Sequence, residues 1–164
     1  MGHSAENPFV IGGLSPLHSS LVPDLKTKIH CPVIAVLKPY LIVGAGSAVG
    51  GIGRYWISIQ MAKRFGDQIP VGTFVANITG CFLIGLAAAF TLGNGKLQIS
   101  PSVQQFLMIG LLGGYTTFSS FSLQTLGLMK NGQVGIACAN ILLSVILCLT
   151  GVWAGTGIGS LLNR

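Results

Sequence analysis

The stretch GGYTTFSSFS at residues 113–122 decides how the chain can fold, because it interrupts an apolar run long enough to cross a membrane. Two adjacent glycines weaken a helix by about 1 kcal/mol each, and a cluster of Thr and Ser follows them. Non-helical backbone survives at membrane depth only where it is buried in protein or lines a watery cavity. The stretch therefore predicts a broken helix at which an ion meets backbone carbonyls, hydroxyls and aromatic ring edges.

The composition indicates a membrane protein. Of the 164 residues, 51% are hydrophobic and only 7% are charged, whereas a soluble domain usually carries about 25% charged residues. The acidic residues are Glu6, Asp24 and Asp67, so no carboxylate side chain occurs from Gln68 onward. This excludes most carboxylate acid/base chemistry and most carboxylate metal sites over that length.

The net charge of +6 does not predict a nucleic-acid partner. Lys and Arg are scattered, mostly at the ends of apolar runs, and form no basic patch with interleaved aromatic residues. An enzyme is not expected either, because no nucleophile has a visible base partner. The cysteines lack CxxC spacing and are expected to be small buried side chains; they are Cys31, Cys81, Cys138 and Cys148.

Four apolar runs, at residues 37–62, 71–93, 103–129 and 134–158, each meet the requirement of about 20 residues for a spanning helix. Short polar connections force consecutive helices to run antiparallel. The predicted fold is an all-α integral membrane bundle of four helices, with the third helix broken between Gly113 and Ser119. One such bundle can hardly enclose a pore, so an oligomer is expected. Residues 1–36 are predicted to be a flexible N-terminal tail, ahead of a membrane domain at 37–164.

Glycines spaced by four residues indicate close helix packing. The run LIVGAGSAVG at 41–50 imitates a dinucleotide fingerprint, but its spacing is wrong and three more membrane-length runs follow it. Gly46 and Gly50 instead form a small-xxx-small face that lets helix backbones approach closely. The last apolar run repeats this pattern at Gly151, Gly155 and Gly159.

Two polar residues in the first two runs each have two interpretations. Arg54 lies one turn beyond Gly50 and is either an interfacial side chain or a functional one, which would anchor the structure or attract an anion at a pore mouth. Asn77 must find hydrogen bonds if it is buried. It either ties two helices together or offers its N–H donors to a desolvated anion.

The later runs add an aromatic pair and a polar stripe. Phe118 and Phe121 are three residues apart and share a face of a helix. Such a pair usually serves packing, but the partly positive ring rims also suit a small anion that must bind weakly enough to leave. Asn140 and Ser144 form a short polar stripe, for which interhelical hydrogen bonding is the alternative explanation.

From about Lys38 to the C-terminus, the chain resembles the CrcB/Fluc fluoride channels. The matching pieces are the Gly-rich start that leads to GRY at 53–55, then GTFVAN at 72–77 with Gly80, and above all GGYTTFSSFS at 113–122. Order, spacing and number of helices all agree. Each piece alone is not specific, but the combination is.

The resemblance implies a passive, fluoride-selective channel that exports fluoride from the cytoplasm across the cell (inner) membrane, so that 37–164 is the channel domain. It implies an antiparallel, dual-topology homodimer in lipid, with a structural sodium ion held by the backbone carbonyls of Gly113 and Thr116. A bulky side chain at Gly113 is therefore expected to disrupt the turn. The implied fluoride pore is lined by Asn77, Thr117, Phe118, Phe121 and Ser144, with Arg54 added from its position.

One departure and two competing functions accompany this resemblance. Gln124 stands where family members commonly carry Glu, which leaves the role of that carboxylate open. A small dual-topology multidrug exporter has a similar size, but it relies on a membrane-embedded Glu that the apolar runs lack. A membrane subunit without transport activity explains the glycine faces but leaves the broken third helix without a reason.

Overall fold

The computed structural model describes residues 25–91 and 99–164, with residues 25–33 and 35 described by their backbone only. The described part of the chain is helical and contains no strand. In chain order its elements are α1 (Leu25–Phe65), α2 (Val71–Thr91), α3 (Pro101–Gln104), a π-helical segment (Gln105–Leu112), α4 (Gly113–Tyr115), α5 (Phe118–Lys130) and α6 (Val134–Leu162).

Four spans within these elements are long and apolar enough to cross a membrane, as the sequence predicted. They are Val36–Phe65, Val71–Thr91, Pro101–Lys130 and Val134–Leu162. The chain is therefore a multi-pass membrane protein. α1 begins at Leu25, ahead of the predicted start at Leu37. The predicted tail falls mostly outside the described residues and stays a prediction, and so does the end of the second run at Gly93.

Glycine shapes the two connections that the structure describes in full. Gly66, between α1 and α2, has a φ of 79°, and Gly132, between α5 and α6, has a φ of 75°. Residues with a side chain rarely adopt this left-handed conformation. Both glycines lie in the polar connections that separate the apolar runs, so the helices end where the sequence indicated.

Helices α2 and α6 pack closely along parallel paths. A Cβ atom on Gly155 would overlap the carbonyl oxygen of Phe82, and one on Gly159 would lie 2.6 Å from the Cβ of Ala89. Successive glycines of α6 thus meet successive turns of α2, which fixes the parallel direction. The side chain of Asn163 closes the pair by donating to the carbonyl of Ala89 at 3.1 Å. The predicted packing face of α6 is confirmed.

Helix α1 packs against the third span through its own glycines. A Cβ on Gly46 would lie 2.6 Å from the carbonyl oxygen of Phe106, and one on Gly50 would overlap that of Leu111. Gly114 of α4 contributes to the same interface, since a Cβ at position 114 would lie 2.6 Å from the carbonyl oxygen of Ser47. The predicted role of Gly46 and Gly50 in packing is confirmed.

The third span, Pro101–Lys130, is irregular along much of its length. It starts with Ser100 as N-cap and then passes into the π-helical segment, which the sequence did not predict. The backbone becomes extended at Thr116, with a ψ of 154°, and at Thr117, with a φ of −153°. A new helix begins at Phe118. The predicted break between Gly113 and Ser119 is confirmed.

Candidate functional site

The helix break is held by a side chain from α2. The amide oxygen of Asn77 accepts a hydrogen bond from the backbone N–H of Thr117 at 2.8 Å, and its Nδ2 donates to the Thr117 carbonyl at 3.1 Å. Asn77 therefore pairs with both backbone groups of one extended residue. The interhelical tie, one of the two interpretations of Asn77, is what the structure contains. Because an amide has two N–H donors, one of them remains for another acceptor.

The restart of the helix is capped within the third span itself. The hydroxyl oxygen of Thr117 accepts from the backbone N–H of Ser120 at 3.3 Å, which is the usual N-cap arrangement. Gly80 allows Thr116 to lie against α2, because a Cβ at position 80 would overlap the Thr116 methyl group. The break is thus a built turn with defined partners rather than a frayed helix end.

Gly113 and Thr116 are among the residues whose backbone carbonyls lose their helical donors at this turn. In an uninterrupted α-helix, Gly113 would accept from the N–H of Thr117, and Thr116 would accept from the N–H of Ser120. The N–H of Thr117 instead donates to Asn77, and that of Ser120 donates to the Thr117 hydroxyl. These are the two carbonyls to which the resemblance assigned sodium. Their chemistry fits a hard monovalent cation, because carbonyl oxygens are neutral, hard ligands.

A groove of about 330 Å³ opens beside the break. It brings together five of the six residues proposed for an anion path, which come from α2, from the break and α5, and from α6. They are Asn77, Thr117, Phe118, Phe121 and Ser144. The groove is otherwise mostly apolar, with Val145 and Leu149 among its lining residues. Residues far apart in sequence therefore share one surface, although their roles there stay predictions.

The two phenylalanines form a contact pair at the edge of this groove. Their ring centroids are 5.4 Å apart and the ring planes are inclined by 45°. Phe118 is 78% exposed, so its ring lies largely outside the packed core of the chain. A tilted pair presents ring rims, which carry partial positive charge, rather than two closed faces.

The two members of the polar stripe on α6 have different environments. Asn140 donates to the hydroxyl of Thr125 at 2.8 Å and so joins α6 to α5. Ser144 is buried and lines the groove. Interhelical hydrogen bonding therefore accounts for Asn140, whereas Ser144 shares the groove with the other residues proposed for the anion path.

Arg54 and Gln124 lie outside the groove. The Nε atom of Arg54 is buried and has no hydrogen-bond partner among the described residues. Gln124 lines a separate cavity of about 250 Å³, together with Ser58, Asp67 and Thr73. The structure thus does not bring Arg54 to the predicted path, and its role there stays a prediction. The Glu-to-Gln departure thus lines a different cavity from the phenylalanine pair.

Sequence reasoning missed the cysteines of the groove. Cys81 and Cys148 line it and are half-buried, whereas Cys138 is exposed on the single chain, so the expectation of buried side chains was wrong for these three. Cys31 lies outside the described side chains. The signal was present in the spacing, since Cys81 follows Asn77 by four residues and Cys148 follows Ser144 by four. Residues four apart share a helix face.

The chain matches a known family and several curated relatives. Residues 41–156 match the family described as CrcB-like protein, Camphor Resistance (CrcB). A protein of Rhodospirillum rubrum named "Fluoride-specific ion channel FluC" is 51% identical over 116 residues, which cover 71% of this chain and 90% of that protein. Proteins of the same name from Methylocella silvestris and Opitutus terrae are 45% and 44% identical, over 76% and 71% of this chain and 95% and 88% of their own lengths.

Proposed function

Because the chain belongs to the CrcB-like protein family, we propose that it is a fluoride-selective channel that exports fluoride passively from the cytoplasm. The observation that carries the proposal is the groove beside the helix break. It joins hydroxyls, an amide and two phenylalanine rims, and it contains no charged side chain among the residues that line it. The chain is similar to relatives that are named fluoride-specific ion channels, and we therefore propose fluoride as the ion.

The groove offers a fluoride ion many weak partners instead of one strong one. Ser144 supplies a hydroxyl donor, and Asn77 supplies the amide N–H that Thr117 leaves free, whereas the Thr117 hydroxyl donates to Ser120 Oγ at 3.2 Å. The rims of Phe118 and Phe121 add electrostatic attraction without a formal charge. Conduction requires binding that is favourable enough for entry and weak enough for release. Neutral donors and ring rims satisfy both requirements better than a cation would.

Passive export agrees with the physical chemistry of fluoride. Hydrogen fluoride is neutral, crosses lipid, and ionises in a less acidic cytoplasm, where the anion is trapped. An inside-negative potential then drives the anion outward by about 2.3 kcal/mol per charge per 100 mV. No proton-relaying carboxylate is needed, and the four described spans contain none. A proton-coupled multidrug exporter would need one at membrane depth.

A structural sodium ion is the second part of the proposal. The carbonyls of Gly113 and Thr116 would hold it, since the helix break diverts their usual donors. A bound cation would offset the cost of leaving carbonyls unpaired in lipid. Gly113 is exposed on the single chain, where a second subunit can contribute further ligands.

We also propose that two chains pair as an antiparallel homodimer in the inner membrane. The order of the runs in the sequence assigns Lys38, Lys96 and Arg164 to one side and Lys63, Arg64 and Lys130 to the other, which is three against three, or five against three when Lys26 and Lys28 of the predicted tail are counted. Orientation follows the excess of Lys and Arg in short loops, so this balance favours insertion both ways. Reporter fusions to the C-terminus should show both orientations. A single orientation throughout would contradict the antiparallel arrangement.

Fluoride efflux from liposomes that contain only this protein tests the proposal. The liposomes are loaded with potassium fluoride, and a potassium ionophore starts the efflux, which a fluoride electrode records. The account predicts rapid fluoride release and no comparable release from liposomes loaded with chloride. Absence of fluoride release, or exchange of organic cations for protons in its place, would contradict it.

A further inference from the structure

Two cysteines from different helices meet in the groove beside the helix break. Cys81 lies on α2 and Cys148 lies on α6, and both line the groove as free thiols. Gly151, one turn beyond Cys148, lets the helices close here, since a Cβ at position 151 would lie 3.9 Å from the Cβ of Cys81. The helix pair therefore fixes both sulfur atoms on one wall of a shared cavity.

From this juxtaposition we propose that Cys81 and Cys148 form a binding site for one divalent, thiophilic cation of the mercuric type. Thiolates are soft ligands and select soft metals. The groove residues include no carboxylate or imidazole that would favour a harder ion. Two ligands are enough for a soft ion that accepts linear coordination, so the site needs no third side chain.

The charge balance favours a divalent ion in this environment. Each thiol loses its proton to form a metal–sulfur bond, so one divalent cation and two thiols give a neutral complex and two protons that leave to water. A monovalent ion with the same ligands would leave a net negative charge at membrane depth, where charge is expensive. Both cysteines are half-buried, so the ion can enter from the open side of the groove.

Occupation of this site closes the groove to an anion. Asn77 and Ser144 each lie one turn before a cysteine on the same helix, so a bridged metal ion sits beside both. The prediction that metal binding blocks fluoride depends on the proposed anion path, whereas the prediction that the metal binds does not. Binding and flux are therefore measured separately.

The experiment uses the full chain with Cys31→Ser and Cys138→Ser, which leaves the groove cysteines as the only thiols. Cys81→Ser and Cys148→Ser are each added to this background. The probe is mercuric chloride, followed by gel filtration in excess glutathione and elemental analysis of mercury per chain. Fluoride efflux is recorded before and after treatment and is expressed relative to the untreated sample of the same variant.

The background protein should retain one mercury per chain and lose its fluoride efflux. Each single variant should lose mercury to glutathione about a hundredfold more readily, because one ligand of a bridged pair is gone. Equal retention by the single variants and the background would overturn the two-thiol site. One bound mercury with unchanged efflux would support the site and overturn the closure. Absence of efflux from every untreated sample would contradict the proposed function, and mercury retention would still decide the site.

Discussion

The α2–α6 pair and the third span satisfy the same requirement of the membrane in opposite ways. In α2 and α6 the helical hydrogen-bond ladder is uninterrupted, and glycines such as Gly155 bring the two backbones into contact. In the third span the helical hydrogen bonds are interrupted at Thr116 and Thr117. Hydrogen bonds with the side chain of Asn77 and with the Thr117 hydroxyl replace them. The helix pair thus keeps its backbone groups paired, whereas the break leaves the carbonyls of Gly113 and Thr116 without their helical donors.

This difference indicates which region of the molecule can bind an ion. A continuous helix pair keeps its backbone groups in its own hydrogen-bond ladder and offers an ion only side chains, such as those of Asn77 and Ser144. A break that is held from outside can expose carbonyls, hydroxyls and ring rims at fixed positions. Its stability then depends on a few side chains, whereas the stability of the helix pair is spread along a whole interface. Substitutions in the two regions should therefore differ in kind as well as in size.

The largest effect is expected at Asn77. The change Asn77→Leu removes both bonds to Thr117 and leaves an N–H and a carbonyl unpaired, which should destabilise the fold by about 2–5 kcal/mol and abolish fluoride efflux. The matched control is Asn140→Leu, which loses one bond to a Thr125 hydroxyl that still donates to the carbonyl of Phe121. It should cost about 1 kcal/mol. Unfolding in detergent measures both, and equal losses would contradict the special role of the break.

The next effect tests the continuous helix pair. The change Gly155→Ala forces a methyl group onto the carbonyl of Phe82 and should destabilise the fold by about 1–3 kcal/mol. On the same helix, a Cβ at Gly157 meets nothing within 4 Å, so Gly157→Ala should be neutral or stabilise by up to about 1 kcal/mol. Efflux per folded chain should survive both changes. A channel that folds normally but conducts poorly after Gly155→Ala would place function in the helix pair as well.

A third effect should appear in transport with little change in stability. Because Phe118 is 78% exposed, Phe118→Ile removes little buried area. It also removes a ring rim from the anion path, which should lower fluoride efflux about tenfold, equivalent to about 1.4 kcal/mol. Phe65→Ile, at an exposed ring outside the groove, is the control and should conduct normally. If efflux persists in Phe118→Ile while the protein loses stability, the pair serves packing.

The smallest effect on the single chain is expected at Gly113. A Cβ there would meet only the carbonyl oxygen of Met108 at 3.7 Å, an ordinary contact, whereas a Cβ on Gly114 would lie 2.6 Å from the Ser47 carbonyl oxygen. The structure thus makes Gly114 the more crowded position. Gly114→Ala should reduce the yield of folded chain, and Gly113→Ala should not.

Removal of sodium distinguishes an ion site at the Gly113 carbonyl from a role of Gly113 in packing alone. If the carbonyls of Gly113 and Thr116 bind the ion, sodium-free buffer should lower the melting temperature or the efflux, with lithium and potassium replacing sodium poorly. Thr116→Ser should change little, because the ligand is a main-chain atom. Equal stability and equal flux after exhaustive removal of sodium would remove the structural sodium from the account and leave the channel standing.

The four spans, the glycine packing faces and the helix break could be predicted from the sequence. Each depends on local properties, namely the length of an apolar run, the spacing of small residues and the low helix propensity of GGYTT. The π-helical segment Gln105–Leu112 could not be predicted, because α- and π-helical turns tolerate the same apolar side chains. Its Gly110 packs closely against α1, since a Cβ at position 110 would lie 3.0 Å from the Cα of Gly46, and that contact is visible only in the fold.

The site was predictable as a list of residues but not as an arrangement. The sequence left two interpretations of Asn77 open, because its partner Thr117 is 40 residues away. It added Arg54 to the anion path from its position in the first run, and Arg54 is not among the residues that line the groove. It also passed over Cys81 and Cys148, whose shared wall depends on how α2 and α6 are rotated against each other. Rotation of packed helices is a tertiary property.

The most direct test of the central claim is the reversal potential of the purified protein in a planar bilayer under a tenfold fluoride gradient. A passive fluoride-selective channel should reverse at the fluoride equilibrium potential, about 59 mV for a singly charged ion. The potential should not move when a chloride or proton gradient is added. A reversal potential that shifts with chloride, or with pH as in proton-coupled exchange, would contradict the account.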